Sequence, residues 1–115
     1  MKHRIDKINE LIKRELGTII ERDFDFEGAM VTVLDAQTTK DLARATVVIA
    51  VYPFRKAEGV LTLLQARGRY LKGMVNKKIN IRTFPDLVFK IDRGSANAER
   101  IDKLLDETMR PSRPA

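Results

Sequence analysis

Residues 66–82 hold a dense run of positive charge with no acidic residue among them. The basic side chains are Arg67, Arg69, Lys72, Lys77, Lys78 and Arg82. Such a density of guanidinium and ammonium groups predicts binding to a polyanion, and nucleic acid is the commonest one. The chain has 22 Lys and Arg against 16 Asp and Glu, a net charge of +6, and this segment carries the excess. The alternative interpretation is a solvated surface, which the lack of acids disfavours.

A second group of cations lies near the N-terminus. It comprises Arg4, Lys7, Lys13 and Arg14. Asp6, Glu10 and Glu15 are interleaved with these residues, so an ordinary mixed-charge helix surface is the stronger interpretation. We therefore treat the four residues as a secondary RNA-binding candidate only.

The composition argues against catalysis. There is no cysteine and a single histidine, His3, so thiolate chemistry, Cys-ligated zinc and a His-rich metal site are excluded. A Gly-rich phosphate loop is also missing. Asp35 and Asp41 flank a predicted turn but have no obvious third ligand. We predict no enzyme activity, no metal and no cofactor; RNA hydrolysis that depends on either aspartate would contradict this.

Apolar spacing predicts the elements that position the cations. Residues 3–22 repeat Ile and Leu at intervals of three and four, as in an amphipathic helix. Gly17 interrupts this helix, and we interpret it as a site of close packing. Residues 29–35 and 43–52 read as strands joined by the polar turn at 38–41, an antiparallel hairpin that Pro53 ends.

Two helices follow, over 55–65 and 69–77, and Gly68 is predicted to make the bend between them. On the second helix, Arg69, Lys72 and Asn76 share one face, and Leu71, Met74 and Val75 share the packing face. Beyond them, residues 79–82 read as extended and residues 87–91 as a strand. A short helix around Ile101, Leu104 and Leu105 comes last.

The element order α-β-β-α-α-β-α indicates an α+β domain. A strand, two helices and a strand form a crossover, and crossovers join parallel strands. We therefore expect a three-stranded mixed sheet with helices over one face. A single domain over residues 1–109 fits the length of 115, with a short flexible tail over 110–115. The longest strongly apolar run, 47–52, is too short to span a membrane, and no targeting segment is recognisable.

The order resembles a type II KH domain, an RNA-binding fold, but the usual Gly-x-x-Gly loop between the crossover helices is absent. Ala66-Arg67-Gly68 stands in its place. An Ala-x-Gly kink there, with Arg82-Thr83-Phe84-Pro85-Asp86-Leu87-Val88-Phe89 after it, is similar to the ribosome-binding factor A family. Matching pieces also occur at 13–16, 39–42, 92–95 and 99–105. The turn at 23–28 departs from the Asp-Pro-Arg-like turn of that family.

The resemblance implies a cytoplasmic, monomeric, non-enzymatic factor for late maturation of the small ribosomal subunit. Its partners would be the immature subunit and its rRNA, with neighbouring ribosomal proteins as further contacts. Late rRNA processing and growth in the cold are the roles it implies. Ala66 and Gly68 would form the structural kink that places Arg67. The alternative is a basic protein-binding module that docks on an acidic protein, and non-specific DNA binding is a weaker one.

Overall fold

The computed structural model describes residues 4–92 and residue 94. The elements are helix α1 (Arg4–Asp23), strands β1 (Met30–Thr38) and β2 (Arg44–Tyr52), a 3₁₀ turn (Phe54–Lys56), helices α2 (Ala57–Ala66) and α3 (Gly68–Ile79), and strand β3 (Asp86–Ile91). The predicted C-terminal helix and tail lie outside the described residues, so the domain boundary at residue 109 stays a prediction.

The sheet has three strands in the order β1-β2-β3. β1 pairs with β2 antiparallel, and β2 pairs with β3 parallel, with Arg44 opposite Asp86 and Ile49 opposite Ile91. The crossover through α2 and α3 therefore joins two adjacent parallel strands, as its length requires. The mixed sheet and the α+β class predicted from the element order are confirmed.

One face of the sheet and one face of each helix form the core. Along β2, Ala45, Val47, Ile49 and Val51 are buried, while the alternate residues are at least partly accessible. The apolar stripe of α1 packs on β1 and α3, and Ile12 and Leu16 are completely buried. The periodicities of two and 3.6 seen in the sequence thus place the predicted apolar faces inward.

β1 is longer than the predicted strand over 29–35, and a bulge is the reason. The pairing with β2 shifts between Val33 and Asp35, which leaves Leu34 as the extra residue. Without it, Val33 and Ala36 would point to opposite faces, because side chains alternate along a strand. With it, both are buried. The bulge interrupts the alternation of buried and exposed residues, so the predicted strand ended at residue 35 although β1 continues to Thr38.

Thr38 belongs to the sheet rather than to the turn, and its hydroxyl donates to Asn9 Oδ1 of α1 at 2.6 Å. Within the part of the chain that the structure describes, no helix is both long and apolar enough to cross a bilayer.

Candidate nucleic-acid interface

The bend between α2 and α3 is made at Arg67. α2 ends at Ala66 and α3 begins at Gly68, and Arg67 between them has φ −100° and ψ 16°. Its N–H donates to the carbonyls of Leu63 and Leu64 at 3.1 and 3.2 Å. Any residue can adopt these dihedrals. The kink at Ala66–Gly68 is thus present, and Arg67 lies at its turning point.

Gly68 does not have the conformational role predicted for it. Its φ is not positive, and a Cβ added there would meet no atom of the described residues within 4 Å. The prediction that Gly68 makes the bend is wrong, because the departure from helical dihedrals is on the preceding residue. Gly68 simply begins α3.

α3 divides into a packing side and a cationic side. Leu71 and Val75 are fully buried, and Met74 is half-buried against the core. Arg69, Lys77 and Lys78 are exposed. The predicted packing side of this helix is confirmed, and Arg69, Lys77 and Lys78 remain accessible to solvent.

The C-terminal end of α3 is closed by asparagines. Asn80 adopts a left-handed conformation, with φ 57°, and its N–H donates to the Asn76 carbonyl at 2.6 Å. The Asn76 side-chain oxygen accepts the N–H of Ile81 at 3.0 Å, so this amide is used inside the protein. The helix runs to Ile79, two residues beyond the predicted end and into the segment predicted as extended. Arg82, in the loop that follows, is exposed.

Lys72 lies in the basic segment, which contains no acidic residue, but it pairs with an acid from another element. Its Nζ lies 2.8 Å from Asp86 Oδ1 at the start of β3. This ammonium holds the pKa of Asp86 below its ordinary value, and Arg44 and Arg69 add smaller contributions in the same direction. Arg44 lies opposite Asp86 in the sheet and was missed by the sequence analysis. Only the parallel pairing of β2 with β3 could have indicated it.

Aromatic residues surround Arg67. Its guanidinium carbon lies 5.6 Å from the ring centroid of Phe24 and 4.7 Å from that of Tyr70. The Phe24 ring stacks on Phe26, with centroids 5.6 Å apart and an interplanar angle of 10°. Tyr70 is 39% exposed. It faces the end of α1 rather than packing over the sheet as a purely core residue would.

Asp23 anchors the Tyr70 ring. The Tyr70 hydroxyl donates to Asp23 Oδ2 at 3.0 Å, and this bond raises the pKa of Tyr70. Arg22 donates to both carboxylate oxygens of Asp23, at 2.7 and 3.1 Å, and is the main reason why the pKa of Asp23 is lowered. The last turn of α1 therefore contacts the first turn of α3 through polar groups.

The predicted N-terminal cations all lie on helix α1. All four are exposed: Arg4, Lys7, Lys13 and Arg14. Arg4 lines a depression beside the hairpin turn with Lys40, whereas Lys13 and Arg14 line a groove between α1 and β1. Arg14 also lies 3.7 Å from Glu15. Arg4 and the Lys13–Arg14 pair thus border different depressions, and the secondary RNA-binding role of the four residues stays a prediction.

The two aspartates considered for catalysis have local partners. Asp41 Oδ1 accepts the Thr39 hydroxyl at 2.6 Å and the Ala43 N–H at 3.0 Å, and both bonds lower the pKa of Asp41. Asp35 accepts a bond from Gln37 at 2.9 Å. Over residues 4–92 and 94, no group of three or more His, Cys, Asp or Glu side chains is placed to hold a metal ion.

Comparison with protein families matches residues 4–105 to ribosome-binding factor A. A ribosome-binding factor A of Akkermansia muciniphila is 35% identical over 107 residues, covering 93% of this chain and 86% of that one. One from Clostridium botulinum strain Hall is 32% identical, covering 90% and 89%.

Two solved structures share the fold. The crystal structure of ribosome-binding factor A from Thermus thermophilus superposes with a TM-score of 0.67 at 23% identity, covering 77% of this chain and 97% of that one. A homology model of the same Thermus thermophilus factor, fitted into a cryo-EM map of its complex with the 30S subunit, gives 0.65 at 27% identity, covering 75% and 92%.

Proposed function

The chain belongs to the ribosome-binding factor A family, and on that premise we propose that it binds the immature small ribosomal subunit as a non-enzymatic assembly factor. In this role it assists late rRNA processing and maturation. The related Thermus thermophilus factor, fitted as a complex with the 30S subunit, supports the choice of partner.

The observation that carries the proposal is the cationic side of the α2–α3 elbow. Its proposed RNA-binding residues are Arg67, Arg69, Lys72, Lys77, Lys78 and Arg82, and Arg44 joins them from β2. Leu71 and Val75 fasten α3 to the core, so the helix that carries Arg69, Lys72, Lys77 and Lys78 has a fixed position in the fold. Rigid placement of several cations suits a folded RNA, whose phosphates have fixed positions.

Recognition here depends on phosphate positions and RNA shape. Without Gly-x-x-Gly, the elbow has no loop to clamp four consecutive nucleotides. Arginine forks bind phosphate oxygens in pairs, whereas lysine acts as a point charge. The Lys72–Asp86 pair is exposed to solvent, so an RNA phosphate can compete for the ammonium.

Sedimentation with purified small subunits tests the proposal. We expect the protein to co-sediment with immature subunits more than with mature ones. A variant with Arg67→Ala, Arg69→Ala and Lys72→Ala should bind at least about tenfold more weakly, since each lost phosphate contact removes a charge-assisted bond.

The matched control removes three charges elsewhere, with Lys40→Ala, Arg55→Ala and Lys90→Ala, all at exposed positions. It should bind nearly as well as the parent. Equal binding by both triple variants would show that net charge, and not the elbow, controls the interaction. Capture of a partner that survives complete RNA digestion would instead favour the acidic-protein alternative.

A further inference from the structure

The turn that follows α1 is firmly fixed beside Arg67. Asp25 Oδ1 accepts the N–H of Glu27 at 2.9 Å, and Lys56 Nζ donates to the Glu27 carbonyl. Gly28, with φ 89°, and Glu27, with φ 53°, complete the reversal of the chain. The turn therefore holds its aromatic side chains in defined positions.

Two rings of different origin meet the same guanidinium. Phe24 comes from this turn and Tyr70 from α3, 46 residues later, and the Arg67 guanidinium packs on both. Phe26 stacks behind Phe24, and Asp23 fixes the Tyr70 hydroxyl. The Arg67 guanidinium is thus restrained by contacts with both rings.

Ring contacts restrict a guanidinium without neutralising it. A cation packed on aromatic rings keeps its full charge, and its N–H groups point outward in the guanidinium plane. These are the groups that bind phosphate in a bidentate manner. An arginine already ordered in the free protein loses less side-chain entropy when it binds, which strengthens the complex. Lys72 differs, because its ammonium already forms an ion pair with the Asp86 carboxylate.

We propose that Phe24 and Tyr70 are positioning residues that hold Arg67 as a preformed fork for one rRNA phosphate. The turn at residues 23–28, where this chain departs from the pattern expected of its family, thereby becomes part of the RNA interface. This inference rests on the proposed function. It states that the turn contributes to RNA binding only by positioning Arg67.

A double-mutant cycle on the full chain tests the inference with immature small subunits at one fixed salt concentration. We expect Arg67→Ala to weaken binding about tenfold and Phe24→Leu about threefold. In the Arg67→Ala background, Phe24→Leu should have no further effect. Phe24→Tyr, which keeps a ring, should retain parental affinity, and Arg67→Lys, which keeps the charge but loses the fork, should not.

Tyr70 provides the second arm. Tyr70→Leu should weaken subunit binding about threefold, and only when Arg67 is present. Tyr70→Phe should lose less affinity because it keeps the ring. Thermal unfolding of each variant separates loss of fold from loss of positioning. If Phe24→Leu does not fold, the Tyr70 variants carry the test.

Two outcomes would overturn the inference. Phe24→Leu and Tyr70→Leu could weaken binding equally with and without Arg67, which would mean that the rings contact RNA directly. Alternatively, Arg67→Ala could bind like the parent while Arg69→Ala and Lys72→Ala bind weakly, so that the proposed function stands without the fork. Failure of the parent protein to bind immature subunits would instead overturn the proposed function itself.

Discussion

At the scale of single residues, the availability of a cation for binding depends on neighbours that are distant in the sequence. Lys72 belongs to a segment without acids, yet Asp86 lies within 2.8 Å of it. Arg67 belongs to the same segment and is held by two rings instead. The predicted cations are therefore not equivalent, and we expect Arg67 to contribute more to phosphate binding than Lys72.

The Lys72–Asp86 pair gives a prediction about titration. Lys72→Met should raise the pKa of Asp86 toward its ordinary value, because the main cause of the lowered value is then lost. Carboxyl chemical shifts followed by NMR against pH measure this directly. Since the folded-state pKa is lowered, the pair stabilises the fold above the unfolded pKa, and this contribution is lost as the pH falls through the folded value. An unchanged titration of Asp86 would show that the pair is not formed in solution.

Thr39 gives a second prediction at this scale. Its hydroxyl donates to Asp41 and accepts the N–H groups of Ala43 and Arg44, each at 3.2 Å, so it organises the hairpin turn. Thr39→Ala should lower the free energy of unfolding by about 1 kcal/mol. Thr39→Ser, which keeps the hydroxyl, is the control and should lie close to the parent in urea denaturation. Equal effects of both variants would contradict the role of the hydroxyl.

At the scale of elements, the helices contain glycines that packing does not require. The predicted close packing at Gly17 is wrong for the part of the chain that the structure describes, because a Cβ there would meet none of its atoms within 4 Å. Gly73, in the interior of α3, is equally open. Gly17→Ala and Gly73→Ala should each raise the free energy of unfolding by about 0.5–1 kcal/mol, since glycine lowers helix stability by that amount. Urea denaturation measures the change, and a loss of stability would reveal a neighbour that the structure does not show.

The elbow gives a related prediction. Gly68→Ala should leave stability and subunit binding at or slightly above the parental values, since the bend lies at Arg67 and the site is open. Gly28→Ala is the contrasting variant, because φ is 89° there, and it should cost about 1–2 kcal/mol. Chemical denaturation of the two variants compares them directly. A larger loss at Gly68 than at Gly28 would restore Gly68 as the bending residue.

At the scale of the whole molecule, the number of cations that contact RNA phosphates should appear as salt dependence of subunit binding. Each phosphate contact contributes roughly 0.7–0.9 to the slope of log affinity against log salt concentration. The variant with Arg67, Arg69 and Lys72 replaced by Ala should therefore have a slope smaller by about 2. The control with Lys40, Arg55 and Lys90 replaced should keep the parental slope. Equal slopes for the two variants would mean that the elbow makes no phosphate contact.

The crossover between β2 and β3 predicted the mixed sheet. The sequence by itself also determined the order of the described elements and their inward faces. These follow from local periodicity, as in Leu71 and Val75 of α3 or the alternating residues of β2, and periodicity is a property of neighbouring residues. It also located the basic segment and indicated the family whose model matches residues 4–105.

Only the tertiary structure decided which distant side chains meet. The pairing of Asp86 with Lys72 and Arg44, and the contacts of Phe24 and Tyr70 with Arg67, depend on how α1, α3 and β3 pack. The sequence also did not predict the bulge at Leu34, because the bulge breaks the alternation of apolar and polar residues from which a strand is predicted. Strand register and helix packing bring together residues far apart in the chain, and no local pattern of residue types records those contacts.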